Sequence, residues 1–264
     1  MSQLYDAFSK HFEVRIAQGR PDVQSTFRLR YEVYCVEKKF ERCEEHPDLM
    51  EYDSHDQWSG HALIVQRRTG QTVASTRLVL AGRLPAGQAL PIEAHCGHAF
   101  YPEFSPGGVP RGQVAEISRF AVVAAFRKRR GESATVTGLT EESLRPEPNE
   151  DERREAPHLT LGLFRATLAL SVELGVYYWY AVMEPTLVRL LQRCGVNFRQ
   201  IGADVDYHGL RRPCFVGIGE MLDLMKAQRP DIWGFMTADG ALWPGAALAS
   251  ESGIPQVSPV GAES

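Results

Sequence analysis

The stretch Val114-Ala115-Glu116-Ile117-Ser118-Arg119-Phe120-Ala121-Val122-Val123 decides how this chain is read. Its short apolar run, partly β-branched, predicts a buried strand. Glu116 and Arg119 interrupt that run, and charges seldom go inside without partners. The strand then feeds Arg127-Lys128-Arg129-Arg130-Gly131, four consecutive cations closed by a glycine. An acid and a base on one central strand imply either a charged network or a reactive site around it.

Working outward toward the N-terminus, Thr72 to Leu80 and His61 to Arg67 read as a hairpin turned at Thr69-Gly70, with Arg77 inside its second strand. Between 81 and 113 the chain is rich in Gly and Pro and reads as a long loop, with a short helix near Pro91–Cys96. Residues 41–59 are polar and irregular and carry Glu51-Tyr52-Asp53-Ser54-His55-Asp56. Before them, Val23, Phe27, Arg30, Tyr31 and Tyr34 recur at helical spacing from an Asp22 cap through Glu37, so Arg30 points partly inward. Phe12 to Ala17 alternates like a strand with one buried face, and residues 1–11 are a short helix or an unsettled leader.

Toward the C-terminus, residues 131–157 lack the apolar content to offset chain ordering and are expected to form a mobile insertion. His158 to Leu174 is apolar nearly all round, as in a buried helix. Val176 to Val182 is a strand, and Pro185 opens a helix that ends near Cys194-Gly195. Phe198–Tyr207 and Pro213–Ile218 read as strands around Gly209, and Glu220–Gln228 as a helix. The tail from Thr237 is rich in Ala, Gly, Pro and Ser and is expected to be loose. Strands interleaved with helices, mostly antiparallel, predict one α/β sandwich over residues 1–236, with 237–264 as its tail.

Across its 264 residues the chain is 44% hydrophobic and 23% charged, with a net charge of −4, which is ordinary for a globular protein. That balance lacks the basic excess of nucleic-acid binders, so no nucleic-acid partner is expected. The five cysteines, Cys35, Cys43, Cys96, Cys194 and Cys214, are odd in number and scattered. With no leader and no apolar run of about 18 residues, a reduced, cytoplasmic protein without a transmembrane segment is expected. Peripheral membrane contact is compatible with that reading. Cys43-x-x-His46 and His95-Cys96-Gly97-His98 do not follow a zinc-site spacing, and no metal is assigned.

Four stretches resemble the acyl-homoserine-lactone (autoinducer) synthases and their N-acyl amino acid synthase relatives, N-acyltransferases of GNAT-like fold. They are Arg30 in Arg28-Leu29-Arg30-Tyr31-Glu32-Val33-Tyr34, the pair Asp53 and Asp56, Arg77, and Glu116 with Ser118 and Arg119. The likeness is closer still to the acyltransferases that accompany exosortase (PEP-CTERM) sorting systems. It is carried by Arg30 to Glu37, by Met183-Glu184-Pro185-x-Leu187-x-Arg189-x-Leu191, and by Tyr207-His208-Gly209-x-Arg211-x-Pro213. The tryptophan that many lactone synthases place after the first helix is replaced here by Tyr34 or Phe40. The acetyl-CoA pyrophosphate loop is only partly matched, by Arg127-x-x-Arg130-Gly131.

The resemblance implies a three-layer GNAT-like sandwich with a mixed, mostly antiparallel sheet. It also implies transfer of a fatty acyl group from acyl carrier protein, or coenzyme A, to the α-amine of an amino acid. The alternatives are a lactone synthase using S-adenosylmethionine and a non-catalytic acyl-carrier-binding module. No bound cofactor is expected beyond the donor thioester. Glu116 is the candidate proton acceptor, with Arg119 and Ser118 beside it, or else it is an ion-pair partner for Arg30, Arg77 or Arg119. Arg30, Tyr34, Asp53, Asp56 and Arg77 are expected to shape the acceptor pocket, a carboxylate taking the amine and an arginine the carboxylate. Backbone N–H groups near Phe120, Ala121 and Val122 are expected to face the developing oxyanion. Arg127, Lys128, Arg129 and Arg130 are expected to dock an acidic carrier protein, and Tyr177, Tyr178, Trp179 and Met183 to line an acyl cleft.

Overall fold

The computed structural model describes residues 3–104, 106–127, 155–206 and 209–243. The expected insertion at 131–157 and tail at 237–264 lie largely outside that set, as do Lys128, Arg129 and Arg130 and the residues Tyr207 and His208.

In chain order the elements are α1 (Gln3–His11), β1 (Phe12–Ile16), α2 (Gly19–Arg30), β2 (Ser59–Gln66), β3 (Thr72–Leu80), α3 (Pro91–Cys96), β4 (Val114–Val122) and α4 (Ala124–Arg127). Then follow α5 (Glu155–Leu174), β5 (Tyr178–Met183), α6 (Pro185–Arg193), β6 (Arg199–Gln200), β7 (Val205–Asp206), β8 (Leu210–Gly217), α7 (Ile218–Gln228) and α8 (Pro230–Thr237). The strands form one sheet in the order β1-β2-β3-β4-β5-β8-β6, with β7 pairing β8. Every pairing is antiparallel except that of β4 with β5. This is the expected GNAT-like sandwich.

The period of two along β2 sets the layers. His61 packs its ring edge-on against Phe27 of α2, whereas a Cβ at the neighbouring Gly60 would lie 2.7 Å from Leu174 of α5. Successive residues face opposite sides of a sheet, so α2 and α5 cover opposite faces. The apolar sequence of α5 is explained by this position: Leu159, Leu163, Ala166 and Leu168 are wholly buried in the main core. A second cluster, built from Val79, Leu90, Ile92, Cys96, Val114 and Tyr180, lies under α3.

Three local readings differ. The first long helix begins at Gly19, before Asp22, which instead accepts the Gln18 amide at 3.3 Å. From Tyr31 to Glu37 the chain continues as a π-helix, a rarer geometry that often marks functional positions. The segment after Gln228, for which no element was expected, forms α8, with Ile232, Phe235 and Met236 buried against the core. The five cysteines carry no disulfide.

Candidate active site

The parallel pairing of β4 with β5 runs from Val114 opposite Tyr178 to Ile117 opposite Ala181 and stops there. Both strands continue, β4 to Val122 and β5 to Met183, so they part and leave a wedge-shaped opening. On its other edge β4 stays paired with β3, but the register slips between Arg77 opposite Ser118 and Ser75 opposite Ala121. Two residues of β4, Arg119 and Phe120, stand there against one of β3, which is a β-bulge. Arg119 adopts φ +49°, a left-handed conformation costly for a residue with a Cβ. The backbone edge of β4 from Ser118 onward is therefore uncovered by β5 where it bends.

A cleft of about 330 Å³ fills this wedge. Ile117, Ser118, Arg119 and Phe120 line it from β4, and Ala181, Val182 and Met183 from β5. Phe164, Leu187 and Phe198 close its apolar end, while Glu116, Arg77, Asp53 and His95 line its polar part. Tyr34 and Phe40 both reach it, with ring centroids 6.4 Å apart, so both aromatics proposed to replace the missing tryptophan are present. The expected acyl wall is corrected: Met183 alone of its four residues lines the cleft. Trp179 is fully buried and donates its indole N–H to Ser171 Oγ at 2.9 Å, Tyr178 stacks on Phe215, and Tyr177 packs against Trp243. The expected oxyanion-facing stretch is corrected too: Ala121 and Val122 are wholly buried, backbone included, and do not line the cleft, which leaves Phe120 as the one of the three that does.

Behind the polar part lies the charged network. Arg30, 1% exposed, donates from Nε to Glu51 Oε2 at 2.5 Å and from Nη1 and Nη2 to Asp56 at 2.7 and 3.1 Å. Arg77, equally buried, donates from Nε to Ser118 Oγ at 2.9 Å and from Nη1 to Asp53 Oδ1 at 2.7 Å, with Asp56 Oδ1 at 3.0 Å. Arg119 grips Glu51 at 2.9 Å, reaches Asp53 at 3.3 Å and Glu41 at 3.4 Å, and lies over the Tyr34 ring. Burial pushes the carboxyls of Glu51, Asp53 and Asp56 upward, but the facing guanidiniums outweigh it and hold all three below the usual range. Burial also places the Tyr34 hydroxyl at about 12, so it remains a donor, here to the Phe120 carbonyl at 3.3 Å.

Four acids, Glu41, Glu51, Asp53 and Asp56, thus face the three arginines where three were expected, and Glu51, not Glu116, is the buried glutamate among them. Glu51 sits in the irregular loop, whose course is fixed when its own amide donates to the Phe27 carbonyl at 3.1 Å. No periodic pattern marks it; its place beside Asp53 in an acidic run was the one available signal. His61 was also missed. It is 5% exposed beside Arg77 in the β2–β3 register, with Nε2 3.6 Å from Asp56 Oδ1, too far for a hydrogen bond. Burial, helped by Arg30 and Arg77, lowers its pKa to about 4 against the pull of Asp56, so it is neutral.

Glu116 stands apart from this network. It is 3% exposed, and no described cation lies within ion-pairing distance. In place of the alternative ion pair it has one backbone hydrogen bond, from the Ile92 amide in the first turn of α3 to Oε2 at 2.8 Å. That single donor only partly offsets burial, which raises the Glu116 pKa to about 8. A carboxyl that is neutral or ionised near neutral pH, facing a cleft, fits proton transfer better than a structural ion pair. Of the basic cluster, Arg127 ends α4, and the rest falls outside the described residues.

Residues 29–137 match the family model described as an acetyltransferase (GNAT) domain. No functionally curated protein matches the chain by sequence. Among solved structures, it is similar to the AHL synthase LasI (16% identity, 82% of this chain and 95% of that one, TM-score 0.56). It is also similar to BjaI, a CoA-dependent acyl-homoserine lactone synthase, bound to MTA (19% identity, 86% and 99% covered, TM-score 0.55). TofI, bound to an inhibitor and MTA, is a further match (18% identity, 84% and 99% covered, TM-score 0.54). The family match over residues 29–137 and the shared fold support acyltransferase activity on a GNAT-like fold. Among the described residues, no helix is long and apolar enough to cross a membrane.

Proposed function

We propose that this enzyme moves a fatty acyl group from a thioester, on acyl carrier protein or coenzyme A, to the α-amine of an amino-acid-type acceptor. The observation that carries this reading is Glu116, a buried carboxyl with a pKa of about 8 on the strand that borders the wedge. At a pKa of about 8 a carboxyl is partly ionised near neutral pH and remains a stronger base than an ordinary carboxylate, which suits it to accept an ammonium proton. In the reaction the amine attacks the thioester carbonyl and its proton passes to the Glu116 carboxylate, directly or through water. The carbonyl oxygen takes up negative charge facing backbone N–H groups of the bulged β4 edge. Collapse forms the amide and expels the donor thiolate, which takes up a proton. Arg30, Arg77 and Arg119 with their acids hold the amino-terminal loop against β4, and Ser118 is held by Arg77 in a hydrogen-bonding, not a nucleophilic, role.

For the acceptor, similarity to LasI, BjaI and TofI favours S-adenosylmethionine, which would give an acyl-homoserine lactone. A free amino acid, giving an N-acyl amino acid, is favoured by the size of the cleft: about 330 Å³ is at the small end of ligand pockets. A partnership with an exosortase system rests on the motif resemblance and belongs with this second reading. Mass spectrometry of lipid extracts from a bacterium expressing the protein separates the two. Acyl-homoserine lactones support the first, N-acyl amino acids the second, and extracts with neither product contradict both.

A further inference from the structure

Two motifs that the catalytic reading leaves unused meet at the cleft. Arg211, from the Gly209-x-Arg211-x-Pro213 turn into β8, and Glu184, at the junction of β5 and α6, both line it. They form an ion pair, Arg211 Nη1 to Glu184 Oε1, at 3.4 Å. The other arginines lining the cleft are already engaged. Arg77 is bound by Asp53, Asp56 and Ser118, and Arg119 by Glu51, Asp53 and Glu41. Taking either away would break buried ion pairs of the network, which is costly. Arg211 differs. It has one charged partner among the described residues, Glu184 at 3.4 Å, and its other contact is to the neighbouring Leu210 carbonyl at 3.2 Å.

Glu184 can release Arg211 without being stranded. Its side chain is 29% exposed, and it stands at the N-terminus of α6, where a negative charge is favoured without a cation. Arg211, at 13%, is shielded enough to favour a charge-assisted contact over water. We propose that Arg211 is the cleft residue that receives an oxyanion of a substrate, exchanging Glu184 for that group. The proposal rests on the acyltransfer reading, which supplies two such oxyanions: the carboxylate of the acceptor and the phosphate of the donor. The acceptor carboxylate was expected to meet an arginine of the buried network; the geometry moves that task to a residue free to change partners.

The test uses paired ligands that differ in the anion alone, with binding measured calorimetrically on the purified full chain. S-adenosylmethionine is compared with its decarboxylated form, and octanoyl-4′-phosphopantetheine with octanoyl-pantetheine. The wild type should prefer the anionic member of one pair by about tenfold to a hundredfold, the range of a charged hydrogen bond. Arg211→Gln should erase that preference without weakening the anion-free ligand, Arg211→Lys should restore part of it, and Glu184→Gln should strengthen anion binding. The pair that responds names the source, carboxylate or phosphate. A wild type with no preference in either pair, or a preference that survives Arg211→Gln, overturns the proposal. Because binding is read apart from turnover, a wild type that keeps the Arg211-dependent preference but forms no amide would refute the acyltransfer reading and leave this one standing.

Discussion

Glu116 Oε2 accepts the Ile92 amide at 2.8 Å, and that bond fixes a buried carboxyl of the cleft without neutralising it. An arginine in place of the amide would have held Glu116 ionised and poorly basic. One backbone donor leaves its pKa at about 8, so it is more basic than an ordinary carboxylate.

The first prediction concerns pH. Transfer should rise with pH through about 8 as Glu116 ionises. Glu116→Gln should keep the fold, since its amide oxygen can still accept from Ile92, and should lower kcat by about 10²–10⁴-fold. Stability should respond in the opposite sense. A carboxyl raised from 4.5 to about 8 keeps, when folded, a proton that the unfolded chain has shed. Its contribution is full below 4.5 and declines as pH rises to about 8. Thermal melts should show this decline in the wild type and a shallower one in Glu116→Gln.

The second concerns Glu51. It bridges Arg30 and Arg119, so Glu51→Gln removes the shared partner of two guanidiniums. Breaking a buried pair costs about 3–5 kcal/mol, and denaturant unfolding should show a loss of that order. A loss below about 1 kcal/mol, as for an exposed pair, would contradict the network.

His61 supplies a third. It is a base with a pKa lowered from 6.5 to about 4, so its neutral form is the folded one. The associated stability is present above 6.5 and is lost as pH falls toward 4. Glu51, Asp53 and Asp56 are depressed carboxyls, and their contribution fades only as they are protonated at lower pH still. His61→Gln should flatten the upper part of the acid limb and leave the lower part in place; an unchanged profile would exclude His61 as its source.

Phe164 closes the apolar end of the cleft, 5.0 Å from the Phe120 ring. Phe164→Leu should favour longer acyl donors. Each additional buried methylene contributes about 0.8 kcal/mol, or about fourfold in kcat/KM. A series of acyl thioesters of increasing length reads this directly, and an unaltered length profile would move the acyl chain elsewhere.

Much of this arrangement was legible in the sequence because its signals are local. The turn at Thr69-Gly70 between two strand-like runs marked the β2–β3 hairpin, and Pro91 marked the start of α3. The charges of Glu116 and Arg119 within an apolar run showed that β4 needed partners. What stayed hidden depends on contacts between distant segments. Nothing local says that β4 leaves β5 after Ile117, and that parting is why Met183 lines the cleft while Trp179 is buried. Glu51 lies in a loop without periodicity, and its burial follows from two arginines on other elements. The bulge at Arg119 is invisible for a similar reason, since a left-handed residue there would ordinarily be glycine and is held instead by Glu51 and Asp53. The short α8 was given no element because its apolar residues span only two turns.

The most direct measurement of the central claim is mass spectrometry of the product made by the purified enzyme. Octanoyl-CoA and an octanoyl carrier protein would be offered with S-adenosylmethionine and with a mixture of free amino acids. The account predicts an octanoyl amide of one of these acceptors from the wild type, strongly reduced with Glu116→Gln. No acylated acceptor from the wild type, or equal yields from wild type and Glu116→Gln, would contradict it.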